Sequence, residues 1–156
     1  MIKIRYLIAA LLVLFINMHC AVWAQEPPKI EPITISTQKA STMISAEIAD
    51  TSELRERGLM FRHILPNDQA MLFDFESPRP AAMWMKNTYM SLDMLFVRED
   101  GTIAALAENT VPKSLDTISV QEPVRGVVEL AAGTIKKLGI RQNDKVFHRI
   151  FKTKEE

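Results

Sequence analysis

The chain is expected to form one mainly β domain, an antiparallel β-sandwich or barrel-like fold with one or two short helices. Three observations lead there: many short apolar runs, turn signals between them, and no stretch long enough for the crossover helices of a parallel α/β sheet. At 156 residues and 47% apolar content, it is one domain's worth of sequence with too much apolar surface to stay disordered. The 19 basic and 19 acidic residues cancel, and there is no long basic run, so nucleic acid is not an expected partner.

The first segment reads as an export signal. Lys3 and Arg5 precede the apolar run Tyr6 to Ile16, and the polar pair Asn17 and His19 then leads to Ala21-Val22-Trp23-Ala24, with a small alanine at the cleavage position. Those 11 residues span only ~16 Å as helix, short of the ~30 Å hydrocarbon core, so residues 1–24 are expected to be a cleaved signal peptide and not a stable membrane span. The alternative is retention as an anchor. The chain is then expected to be periplasmic or secreted. Cys20 is the only cysteine, so cleavage after Ala24 leaves a mature chain with neither a disulfide nor a thiolate. Residues 25–32 hold three prolines and read as a flexible tether, with the single domain at 33–156.

Within the domain, Ile44, Ala46 and Ile48 alternate with Ser45 and Glu47, which is strand periodicity. Asp50 followed by Glu53 resembles a capping box, and it predicts a helix over Ser52 to Leu59 that Gly58 weakens. Met71 to Phe75, Ala82 to Lys86, Leu92 to Arg98, Thr102 to Glu108, Gly126 to Leu130 and Val146 to Phe151 are predicted strands, about eight with the N-terminal pieces. Asp100-Gly101 marks the sharpest hairpin turn, and Gly133 to Leu138 predicts a second short helix ended by Gly139.

Candidate functional residues stand out by context. Asp93 lies in a run apolar on both alternating sets, and Glu129 lies between Val128 and Leu130. A carboxylate buried there needs a cation, backbone donors or a proton, and Arg57, Arg62 and Lys86 are the available cations. Each acid is therefore expected to be structurally anchored, so that Asp93→Asn and Glu129→Gln would both lower stability. Trp84, Lys86, Asn87 and Thr88 place an aromatic face, a cation, an amide and a hydroxyl on one connection. That set suits a small polar ligand, although Asn and Thr equally serve to set a turn.

The expected function is a non-catalytic binding module for a small polar ligand or an envelope protein, with no cofactor and no metal. A glycosidase-like hydrolase using Asp93 and Glu129 is the alternative, and a Cu(I)-binding protein the third reading. The copper reading rests on Met60, Met71, Met83, Met85, Met90 and Met94, since soft thioethers suit Cu(I), but core filling is the usual use of methionine. No Gly-x-Ser-x-Gly element and no zinc or calcium spacing occurs.

The blocks Glu-Arg-Gly-Leu-Met-Phe-Arg (56–62), Met-Leu-Phe-Asp-Phe (71–75), Trp-Met-Lys-Asn-Thr (84–88), Leu-Asp-Met-Leu-Phe-Val (92–97) and Val-Glu-Leu-Ala-Ala-Gly (128–133) occur in that order. In this the chain resembles domain-of-unknown-function family 192. The resemblance covers about residues 33–151 and implies a small, mainly β, often exported domain without an established activity. Ala70, Ser91 and Asn143 stand where the family commonly has Gly, Pro and Gly, so loop geometry is expected to differ there.

Overall fold

The computed structural model describes residues 27–153; the expected signal segment and its cleavage point lie outside them. Seven strands and two short helices follow in the order β1 (Lys29–Ser36), β2 (Ser41–Ala49), α1 (Ser52–Arg57), β3 (Gln69–Met83), β4 (Leu92–Val97), β5 (Ile103–Ala107), β6 (Ile118–Ala131), α2 (Thr134–Leu138) and β7 (Lys145–Phe147). They form one sheet in the order β5-β4-β6-β3-β2-β1-β7. The sheet curls until its two edges almost meet, because the turn before β5 bridges to β7 through Thr102 and Lys145. Ile103 N donates to Asp144 O at 2.9 Å and Val146 N to Gly101 O at 2.8 Å. Gly101 is required at this seam: its φ is 79°, and a Cβ there would stand 2.5 Å from Val146 O. The expected mainly β, barrel-like fold with two short helices is thus the observed one. All pairs are antiparallel except β2 with β3. The parallel pair is joined by α1 and the loop after it.

The differences from the expected elements are local. β1 begins at Lys29, and Lys29 to Pro32 pair with Ile48 to Ser45, so this part of the expected tether is a strand. Pro32 fits because β7 reaches only Thr34 to Ser36; beside Pro32 the other side of β1 needs no donor. α1 is capped by Thr51, whose hydroxyl accepts from Leu54 N, and not by an Asp50–Glu53 box. The two strands expected across 71–86 are one long β3. It continues through Ser77-Pro78-Arg79-Pro80 because β2 pairs only with Gln69 to Phe73, leaving one side free for the prolines, and register shifts at Asp74/Arg79 absorb the bend. The last strand is only Lys145–Phe147.

The hydrophobic core has two layers, one on each face of the sheet. The inner face carries Ile33, Ile35, Ile44, Ala46, Ile48, Leu72, Leu95, Val128 and Leu130, with Ile135 of α2 packed against them. The outer face of β3, β4 and β6 carries Phe73, Met94, Phe96 and Val127, covered by Leu59, Leu65 and Met85 from the loops. Every residue of β4 is buried, as its unbroken apolar run requires. The atypical turn residues have distinct roles. Asn143 holds φ 73°, a left-handed conformation that Asn tolerates, and the Ser91 hydroxyl donates to Thr110 O at 2.7 Å.

Candidate functional site

Register decides where the two buried acids point. Met94 pairs with Glu129, and Glu129 with Met71, so these three side chains share the outer face; Asp93 pairs with Leu130 and faces inward. The expected site that includes both Asp93 and Glu129 is corrected by this parity: the two acids point to opposite faces of the sheet. Asp93 is fully buried and satisfied by backbone: Oδ1 accepts from Asn109 N at 2.9 Å and Oδ2 from Ile135 N at 2.8 Å. It ties β4 to the loop after β5 and to the start of α2. The paired-carboxylate hydrolase, which needs both acids on one cleft, loses its geometry.

Glu129 is different in kind. It is 4% exposed, and among the described residues its carboxyl has neither an ion pair nor a hydrogen bond. Burial pushes its pKa from 4.5 up to about 8, so at neutral pH it is mostly the protonated acid. It lies on the wall of a pocket of about 340 Å³, near the lower end of ordinary ligand sites.

Three segments build that pocket: α1 with Ser52, Arg55, Glu56 and Arg57; β3 with Phe73, Phe75, Arg79 and Met83; and the 84–88 connection with Trp84, Lys86 and Thr88. Gly58, Leu59 and Met60 complete it. Trp84 is 53% exposed and lies under the Lys86 ammonium, 5.4 Å from the ring centroid; the Arg79 guanidinium lies 4.5 Å from the Phe75 centroid. Arg55 is committed to structure, donating to Asp50 O and Asp74 O and pairing with Glu76 at 3.1 Å. Arg57, Arg79 and Lys86 are exposed, and none forms an ion pair among the described residues.

The wall is held by backbone bonds between loops. Phe61 N donates to Asn87 O at 2.8 Å, Lys113 N to Thr88 O at 3.0 Å, and Met85 N to Ser114 O at 3.2 Å. The Thr110 hydroxyl, bonded to Leu92, lies 3.2 Å from Met85 Sδ. Asn87, at φ 56°, sets this turn, and its amide lies 3.9 Å from Met60 Sδ.

Of the eight candidate residues, Arg57, Trp84, Lys86, Thr88 and Glu129 come together on the pocket, while Arg62, Asn87 and Asp93 do not line it. Arg62 instead makes a two-pronged ion pair with Glu47 of β2, at 2.5 and 2.6 Å, which raises the Arg62 pKa. Reading the sequence missed Arg79, Phe73, Phe75 and Ser52. Arg79 stands between Pro78 and Pro80 and the two phenylalanines lie in a predicted strand, so none of the three carries a sequence signal of a site. Of the methionines, Met60 and Met83 line the pocket, whereas Met71, Met85 and Met94 are buried core. No group of three or more His, Cys, Asp or Glu with metal-holding geometry occurs among the described residues.

The fold and site define a small barrel-like β domain with a basic-rimmed, aromatic-walled pocket over one buried acid. Residues 33–148 match domain-of-unknown-function family 192, described as an uncharacterized ACR, and the chain belongs to this family. Among solved structures it is similar to a "putative transcription regulator" from Sinorhizobium meliloti 1021, at 41% identity and a TM-score of 0.79, covering 82% of this chain and 100% of that one. It is also similar to a protein of unknown function from Novosphingobium aromaticivorans DSM 12444, at 31% identity and a TM-score of 0.75, covering 85% and 99% respectively. No curated protein matches the chain.

Proposed function

We propose that this protein is an exported, non-catalytic binding module that takes a small polar ligand into the pocket between α1, β3 and the 84–88 connection. The observation that carries this reading is Glu129, an acid on a mostly buried strand position, unpartnered among the described residues, whose carboxyl oxygens reach the space of a concave site. A ligand's polar atom can meet that carboxyl, and a hydrogen bond of this kind contributes about 0.5–1.5 kcal/mol net. Trp84, Phe73 and Phe75 offer flat apolar contact, and Thr88 and Ser52 offer hydroxyls beside it.

Export is supported by the order of charge, apolar run and small residues before Gln25. Among the described residues no helix is long and apolar enough to cross a membrane. The transcription-regulator description of the Sinorhizobium protein gains no support from α1 and α2, which at 6 and 5 residues are too short to serve as groove-reading helices.

Native mass spectrometry of protein isolated from the cell envelope tests the reading. A small bound molecule should accompany the wild-type protein and be lost from Trp84→Ala at unchanged melting temperature. Ligand-free wild-type protein from the same source would refute the proposal. An envelope protein as partner is the second reading, favoured by Phe61, Ile64, Val111 and Leu115, which are 58–77% exposed on loops flanking the pocket.

A further inference from the structure

The geometry points to a small organic anion with an apolar or aromatic body as the ligand class of this pocket, its charge at the Arg57–Arg79–Lys86 rim and an acceptor atom at the Glu129 carboxyl. This rests on the binding reading above and adds the ligand's chemistry to it.

The first support is the sign of the rim. Arg57 from α1, Arg79 from β3 and Lys86 from the 84–88 connection converge on one mouth without ion-pair partners among the described residues, while the other lining cation, Arg55, is already held by Glu76 and by backbone carbonyls. Against three free cations the lining sets one exposed acid, Glu56. The uncompensated charge at the entrance is positive, which attracts anions and repels amines.

The second support comes from the wall. Glu129 lies between Met71 and Met94 across the strands, and no cation pairs with it. Its burial favours the protonated form, in which it is a hydrogen-bond donor that adds no negative charge. Such a donor meets a carbonyl, carboxylate or phosphate oxygen. A cationic ligand would have to strip that proton and also pass the basic mouth.

The third support is the lining between mouth and wall. Phe73, Phe75, Trp84, Met60 and Met83 present rings and thioethers, and two of the rings already carry a cation on one face. An ion without an apolar body would leave this surface wet. A ligand with a ring or short hydrocarbon body removes it from water.

Four probes of similar size separate the possibilities: benzoate, phenyl phosphate, benzyl alcohol and benzylammonium, titrated calorimetrically into the purified protein near neutral pH. Benzoate or phenyl phosphate should bind at least tenfold more tightly than the alcohol and the amine, and whichever anion is tighter tells carboxylate from phosphate. Arg57→Gln and Lys86→Gln, both at exposed positions, should each weaken the anion about fivefold without moving the melting temperature. Affinity for benzoate should fall as pH rises through about 8, when Glu129 ionises beside Arg55, Glu56, Arg57, Arg79 and Lys86. Equal or tighter binding of the amine or the alcohol would overturn the anion assignment and leave the pocket reading intact. Failure of all four probes, with a native adduct still present by mass spectrometry, would overturn the assignment too.

Discussion

Asp93→Asn and Glu129→Gln each replace one buried acid by its amide on adjacent strands, but the structure predicts opposite consequences for stability. Asp93 accepts two backbone N–H groups, one on each oxygen, at 2.9 and 2.8 Å. An asparagine has only one side-chain oxygen, so its NH2 group would face either Asn109 N or Ile135 N. The substitution loses a charge-assisted bond of about 1.5–3 kcal/mol and leaves a buried donor unmet at about 1–3 kcal/mol; partial relaxation brings the expected cost to about 3 kcal/mol. In a domain of this size that is roughly 10 °C in melting temperature.

Glu129 has no such bonds to lose. Because burial raises its pKa from 4.5 to about 8, the native protein between these values holds a proton that the unfolded chain has released. The associated stability is fully present below about pH 4.5 and is lost as pH rises through about 8, at up to about 1.4 kcal/mol per pH unit. Glutamine removes the slope. Relative to the variant, the wild-type protein should lose up to about 3 kcal/mol between about pH 6 and about pH 8. The expectation from sequence that both substitutions destabilise is therefore kept for Asp93 and replaced for Glu129 by a pH-dependent gain. Chemical denaturation of the three proteins at several pH values is the assay. Parallel stability profiles for wild type and Glu129→Gln, or an Asp93→Asn protein as stable as wild type, would refute the reasoning.

Two further outcomes follow from the same geometry. Gly101→Ala puts a Cβ 2.5 Å from Val146 O on a backbone at φ 79°, so it should open the β5–β7 seam and cost about 2 kcal/mol. Faster hydrogen exchange at Ile103 and Val146 would mark the opening, and unchanged protection would contradict it. Arg62→Ala removes the partner of Glu47 in a partly exposed pair, so it should cost only about 1 kcal/mol. It should leave ligand affinity unchanged, because Arg62 does not line the pocket; calorimetry against the tighter anion checks this.

Much of the fold was legible because period and turn chemistry are local properties. Ser41–Ala49 alternates cleanly, the β4 run is apolar on both faces, and the interval between Gly133 and Gly139 holds the second helix. β3 was not legible, since Pro78 and Pro80 look like breakers unless it is known that β2 stops pairing at Phe73. The site was readable only in part for a related reason. Alternation within a strand is written in its sequence, but the register between strands is not. A shift of one residue would have put Asp93 and Glu129 on the same face. Arg62 is, from sequence, a cation available to the buried acids, yet its partner, Glu47, lies on β2, on the solvent side of an alternation that gives no hint of the pair. The Trp84–Lys86 loop was found because its unusual residue types are contiguous.

The state of Glu129 in solution is the most direct measure of the account. Carbon-13 NMR of the glutamate carboxyls, with Glu129→Gln assigning the resonance, follows its titration in the ligand-free protein. The account predicts a midpoint near 8, with Glu129 protonated at neutral pH beneath a basic rim. A midpoint near the ordinary glutamate value of 4.5 would mean that the carboxyl is solvated or paired, and the pocket would then lack the protonated, unpartnered acid from which its ligand class was argued.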